Sequence, residues 1–477
     1  MRMTRMVGSI AVGLIVLAAA TEARADGLLS RLLKRGKATE SERHPAHTTP
    51  QSEPPTVIQT SQDVVASMPA DVSGQANLQS SARPAPDSIP STLEQLTLDQ
   101  SLRIAETTQP QLAAASAAID AARGRYRQAG TYPNPSLDVR GETLIAAEVV
   151  AGVSQPIILG DRRRRAMDAA CFEIQTRERE FSALRARVFW EVKQAFYEVL
   201  GLQQLLALAR DQERNALTLV EKTQERFKQG DVAERDVLRA EVDLSTVRIH
   251  AENLERTLIE ARKTLATRMG IAATTIDRCE GQLRLPERFG SEEDLTQQLL
   301  AAHPDLQAAL SEVRFREAAT AHARAERIPD ASAYVLYRRL TETDQNTADV
   351  GILLPLPLFD RRTGRIQEVA AEASRARAQL AVKENDLLGQ LRRSYESLLT
   401  YYRQADSYHT TILPKTDRSL ELVRTAYDEG DASILEVLDA QRHSNIAHAA
   451  YLEVLAMLTQ RWLEVEYLVQ SQPRPTR

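Results

Sequence analysis

The chain repeats itself, and that duplication limits its possible folds more than any other feature. Gln109-Pro110-Gln111-Leu112 is echoed by His303-Pro304-Asp305-Leu306, and Tyr132-Pro133-Asn134 by Ile328-Pro329-Asp330. Ser154-Gln155-Pro156 followed by Gly160-Asp161-Arg162-Arg163 returns as Leu353-Leu354-Pro355 followed by Phe359-Asp360-Arg361-Arg362. Arg226-Phe227-Lys228-Gln229-Gly230-Asp231 returns as Ala426-Tyr427-Asp428-Glu429-Gly430-Asp431. The offset grows slowly, from 194 residues at Pro110 and Pro304 to 200 at Gly230 and Gly430, as a duplication with small insertions gives. Two copies, 93–290 and 291–470, therefore carry the fold, with a short tail at 471–477.

Each copy reads as a helix, two short strands, a very long helix, a turn and a returning helix. Leu184, Val188, Val192, Ala195, Val199, Leu202, Leu206 and Ala209 are spaced by fours and threes, alternating from Val188 on, the seam of a coiled coil. Leu254, Leu258, Ala261 and Leu265 give the returning helix, and Leu387, Leu391, Tyr395, Leu398, Tyr402 and Ala405 the second copy. No proline interrupts Arg165 to Gln229. One helix there extends roughly 90 to 100 Å at about 1.5 Å per residue, enough to cross a compartment.

Between Pro135 and Ile145 the period changes to two. Leu137, Val139, Gly141, Thr143 and Ile145 face one way, and Asp138, Arg140 and Glu142 the other. Ala348, Val350, Ile352 and Leu354 against Asp349 and Gly351 repeat the pattern, with weaker partners near Glu148 to Val153 and Ala333 to Tyr337. Runs of about 9 to 11 such residues suit tilted strands with lipid on one face and water on the other. Four strands cannot close a barrel, and an open edge is not tolerated in lipid, so several chains must share one. A small soluble sheet at the end of a coiled coil is the plainer alternative.

The N-terminus fits export. Two arginines within Met1 to Arg5, the apolar run Met6 to Ala20 and Ala23-Arg24-Ala25 read as a signal peptide, 1–25, cut after Ala25. Asp26 rather than Cys then begins the mature chain, which gives no support for a lipid anchor. The stretch 26–92 is rich in Pro, Ser, Thr and Gln and reads as a disordered extension. A net charge of -5 and scarce aromatics (5%) argue against a nucleic-acid partner. The two cysteines, Cys171 and Cys279, read as isolated thiols. Below the strands, Asp161 and Asp360 occupy N-cap positions, and Arg162 to Arg165 with Arg361, Arg362 and Arg365 suit headgroups at the edge of a bilayer.

With these residues in place, roughly Leu93 to Val469 resembles the TolC-type outer-membrane efflux factors. The marks are the duplicated half, Tyr132-Pro133-Asn134-Pro135 before the first strand, Ser154-Gln155-Pro156 ending the second, and Pro355-Leu356-Pro357-Leu358-Phe359-Asp360 after the fourth. Within that family the pattern most resembles the CzcC-like branch that serves heavy-metal efflux. The resemblance implies a mainly α fold with a small transmembrane β part: four strands per chain in a shared trimeric 12-stranded barrel, over a periplasmic α-barrel of long hairpins. It implies an outer-membrane location in a Gram-negative bacterium and a homotrimer in lipid. Its partners would be a periplasmic adaptor (a membrane fusion protein) and an inner-membrane RND transporter. In the family the hairpin tips meet the adaptor, and the matching turns are Gly230-Asp231-Val232-Ala233 and Gly430-Asp431-Ala432-Ser433. Gate candidates are Tyr427, Glu436 and Asp439, with Asp236 and Arg239 from the first copy and an Arg239–Asp439 pair holding the tip closed. Acidic rings in a constriction would concentrate cations.

No motif for catalysis, cofactor binding or a phosphate-cradling loop stands in the sequence. His44 and His47 lie in the extension, and His250, His303, His322, His409, His443 and His448 are scattered, so no metal site is expected. The chain reads as a passive conduit rather than an enzyme. A conduit for multidrug efflux or type I secretion is the nearest rival. A periplasmic coiled-coil adaptor, which would offer one hairpin and more β modules, is the rival of another class.

Overall fold

The computed structural model describes residues 92–142, 148–283, 289–340 and 345–469. The signal peptide, nearly all of the extension and the tail lie outside them, as do Thr143 and Ile145 of the first strand.

Seen in chain order, β1 (Thr92–Leu96), α1 (Leu98–Thr108) and α2 (Pro110–Ala129) lead to β2 (Ser136–Glu142) and β3 (Glu148–Ile157). Then come α3 (Arg162–Gln229), α4 (Glu234–Arg268) and β4 (Thr275–Cys279). The second copy runs through α5 (Glu292–Ala302), α6 (Pro304–Ala325), β5 (Ala331–Leu340) and β6 (Gln345–Leu353) to α7 (Thr363–Ser407). A π-helical turn, Tyr408–Ile412, joins α7 to α8 (Leu413–Glu429), and α9 (Ile434–Val469) returns. The chain is mainly α, as the periodicity requires.

At 68 residues, α3 is about 100 Å long and is the spine of the molecule. Val188, Val192, Ala195 and Val199 of its seam are buried against Leu258, Ala261 and Leu265 of α4. Leu184, Leu202 and Leu206 flank them half-buried, so the buried stripe is wider than two positions per heptad. In the second copy Leu387, Leu391, Leu398 and Ala405 pack on Leu455 and Leu458, and Leu200 of α3 joins that core. The two copies thus share the spine.

Two features differ from the pattern read in the sequence. The first helix of each copy is broken at Gln109-Pro110 and His303-Pro304, because a residue before proline is pushed to extended backbone. A second sheet also exists: β1 and β4 pair in parallel and bury Leu96, Ile276 and Cys279. Burial pushes the Cys279 thiol up to about 12, while Cys171 is exposed, and neither is bridged.

The main sheet is antiparallel in the order β2-β3-β5-β6, so β2 and β6 are its open edges. Leu137 faces Val153, Val153 faces Val335, and Val335 faces Val350, forming one row of apolar side chains across all four strands. Val139, Ala151, Tyr337 and Ala348 form the next row.

Candidate functional site

Two regions carry what the fold can do: the apolar face of the sheet and the far ends of the hairpins. On the sheet, Val350 is 78% exposed and Leu137 75%, although they sit in ordered strands. The opposite face carries Asp138 paired with Arg140, and Arg338 paired with Asp349 at 3.6 Å. One face avoids water and the other holds charge, the division a barrel wall in lipid needs. Among the described residues no helix is long and apolar enough to cross a membrane.

The arginines below the sheet do not simply reach outward. Arg162 pairs with Asp330, and Arg163 donates to the Gly130 carbonyl at 2.8 Å while lying 4.2 Å over the Tyr132 ring. Arg362 donates to Glu326 at 2.8 Å. They tie the starts of α3 and α7 to the ends of α2 and α6 and to the segments that lead into β2 and β5. Asp161 has φ 55° and its side chain caps nothing; at the second junction Arg362, with φ 54°, takes the cap position and Asp360 Oδ1 accepts from its N–H. The expected aspartate N-caps are therefore not formed.

At the tips, Gly230 (φ 86°) and Gly430 (φ 90°) end α3 and α8 in the left-handed region. The next amides, of Asp231 and Asp431, donate back to the Arg226 and Ala426 carbonyls at 2.9 and 2.8 Å, closing the helices as a Schellman motif does. Gly230, Asp231, Ala233, Gly430, Asp431 and Ser433 are exposed, with Val232 and Ala432 half-buried.

The gate candidates fall out differently. Glu436 folds back on Ser433 in a capping box, accepting from its N–H at 2.7 Å and its hydroxyl at 3.0 Å. These bonds hold its carboxyl below the usual carboxylate range. Tyr427 is 4% exposed and packs with Leu219, Ile434 and Val437 rather than facing a tunnel. Arg239 pairs with Asp236 at 3.5 Å on its own helix, and Asp439 lies 3.6 Å from His443 on its own. The expected Arg239–Asp439 pair is not made within the chain; each finds a partner one turn away, where no side chain has to reach across helices.

Contacts that sequence reading missed join the two tips. Arg226 lies 4.6 Å over the Tyr427 ring, and Lys222 meets Asp428 at 3.3 Å. Both belong to the repeated turn region, and that equivalence was the available signal. A groove of about 890 Å³ between α4 and α9 is lined by Leu238, Val242, Leu435 and Ile446, with Asp243 and Arg442 along it. Burial raises the Asp243 carboxyl, partly offset by Arg442. No His, Cys, Asp or Glu cluster able to hold a metal stands among the described residues.

The sequence profile described as "Outer membrane efflux protein" matches residues 102–271 and 295–469, one stretch in each copy. The chain belongs to the outer membrane efflux protein family. It is 27% identical over 371 residues to the cobalt-zinc-cadmium resistance protein CzcC of Cupriavidus metallidurans, covering 76% of this chain and 88% of that one. Among solved structures, the outer-membrane channel OprN superposes with a TM-score of 0.67 at 18% identity, over 79% of this chain and 90% of that one. CusC gives 0.65 at 16% identity, over 79% and 92%. As a family member this chain is an outer-membrane efflux channel protein, with its helical part in the periplasm.

Proposed function

We propose that three copies of this chain form the outer-membrane conduit of a tripartite pump and passively release heavy-metal cations to the exterior. A periplasmic adaptor and an inner-membrane RND transporter would supply cargo from below, docking at Gly230–Ala233 and Gly430–Ser433. The observation that carries the shared channel is the sheet: one apolar exposed face and two unpaired edges, β2 and β6, which lipid does not tolerate. The metal cargo is supported by likeness to CzcC, whose name gives cobalt, zinc and cadmium. Glu436 is held in its capping box, which leaves Asp439, 68% exposed at the side chain, as the carboxylate available to a constriction.

Deleting the gene from its host tests the cargo. Sensitivity to cobalt, zinc or cadmium salts should rise and be restored by the intact chain; increased sensitivity to drugs alone overturns the metal reading. Replacing Asp439 by Ala and recording single-channel conductance tests the gate. Unchanged conductance and cation selectivity removes it.

A further inference from the structure

Four half-buried rings line one groove on α3. Phe181, Phe189 and Trp190 of α3 and Tyr467 of α9 stand in a space of about 560 Å³, with Leu102 of α1 on one wall and Pro304 on the other. The cations along it are engaged: Arg185 donates to Glu106 and Lys193 to Glu466, both at 2.9 Å. The groove is therefore mainly a track of aromatic surface.

It opens where α9 stops. α9 runs antiparallel to α3, since Gln460 donates to the Gln194 carbonyl at 3.1 Å, Glu466 accepts from Lys193, and Tyr467 stacks on Trp190 with ring centroids 5.0 Å apart. Past Tyr467 only Leu468 and Val469 continue the helix. The groove goes on, through Phe189, Arg185 and Ser182 to Phe181, along the line that α9 has been following.

We propose that the segment after Val469, Gln470-Ser471-Gln472-Pro473-Arg474-Pro475-Thr476-Arg477, lies in this groove as an extended strap. Reach sets the register. Ser182 is eight residues from Trp190 along α3, about 12 Å at about 1.5 Å per residue. Leu468 and Val469 cover about 3 Å of that, and about three polyproline-type residues at about 3.1 Å each cover the rest. Gln472 then stands beside Ser182, and Pro473 beside Phe181.

Composition suits the seat. Pro473 and Pro475 fix φ and prevent α9 from continuing, and they preorganise the segment as polyproline II, which docks in grooves lined by aromatic rings at low entropic cost. The segment has two arginines and no acidic residue. Two residues past Gln472, Arg474 comes level with Glu178, one turn of α3 beyond Ser182, whose side chain is 48% exposed and which meets Arg123 at 3.4 Å. The cleft on the other side of α9 is the competing seat. Its lining is chiefly charged, with Arg187, Asp305, Lys383 and Asp386, and it adds no ring to Trp190 and Tyr467. Seated on α3, the strap ties the end of α9 to α1, and so fixes the far end of the helix that begins at the second tip.

Cysteine pairs test this in the purified full chain, with exposed Cys171 replaced by Ser. On oxidation, Ser182→Cys with Gln472→Cys should close within one chain, read as a linked peptide pair by mass spectrometry and a monomer band without reductant. Gln390→Cys with Gln472→Cys, which samples the charged cleft, should link about tenfold less, being out of disulfide reach. A second measurement needs no link. The thiol of Ser182→Cys should react with a maleimide about tenfold faster when residues 471–477 are removed, the ratio that docking in about nine of ten molecules gives. Stronger linkage to position 390 moves the segment to the charged cleft and overturns the proposal. A link at position 182 that joins two chains gives the groove to another copy's segment and overturns it as well, and so does a maleimide rate unchanged by the truncation.

Discussion

Arg226 and Tyr427 join the ends of the two hairpins: the guanidinium lies 4.6 Å over the ring and also donates to the Tyr427 carbonyl at 2.9 Å. Replacing Arg226 by Ala removes both contacts and should loosen the tips by about 1–2 kcal/mol. Hydrogen exchange should show faster opening of residues 423–437 while the seam near Val192 stays protected. The buried Tyr427 hydroxyl has no hydrogen-bond partner, so Tyr427→Phe should cost nothing or stabilise slightly.

Gly230 and Gly430 are held at φ 86° and 90°, with open space where a Cβ would stand. Alanine meets no neighbour there and only the backbone penalty remains, so each substitution should cost about 1–2 kcal/mol. Thermal unfolding of each single variant and of the pair would check this. A departure of the pair from the sum of the singles measures the coupling that Arg226 and Tyr427 make between the turns.

His303 is buried, caps α6 by accepting the Asp305 N–H at 3.2 Å on Nδ1, and has its pKa lowered. Burial is the main cause, opposed by Asp305 and reinforced by Lys383 and Arg187. A folded-state pKa below the unfolded value of about 6.5 means the neutral ring's contribution is whole above that value and is lost as pH falls. The melting temperature should therefore drop as pH falls below about 6.5. His303→Asn, which keeps a capping side chain and does not titrate, should flatten that part of the profile. A profile unchanged by the substitution would assign the acid lability elsewhere.

Val350 and Asp349 are neighbours in β6 on opposite faces. Val350→Arg should cost about 2–4 kcal/mol if it meets lipid near mid-depth and should lower the amount of assembled channel in outer membranes. Asp349→Asn should assemble normally and change only ion selectivity, read from reversal potentials across planar bilayers.

The elements with a strong internal period were legible in the sequence. Val188, Val192, Ala195 and Val199 repeat often enough along α3 to specify a seam, and Leu137 and Val139 alternate cleanly against Asp138 and Arg140. The β1–β4 pair was not, because five residues on each side join strands about 180 positions apart, and only tertiary packing brings them together. At the tips, composition identified the turns through glycine but not which way Tyr427 points, since an amphipathic ring suits a tunnel wall as well as a core. The capping role of Glu436 was missed for a related reason: three residues after Ser433, its carboxylate folds back on the helix start before any neighbour is reached.

The π-helical turn at Tyr408–Ile412 makes the hairpins mechanically unequal. In α3 the helix runs unbroken to the tip, whereas the corresponding path through α7 and α8 is interrupted by that wide turn and by Pro414 just after it. Under the same sideways load the first hairpin acts as a strut and the second as a jointed lever. Compliance then belongs to one half of the chain, and whatever presses on the tips should find one stiff post beside one that yields.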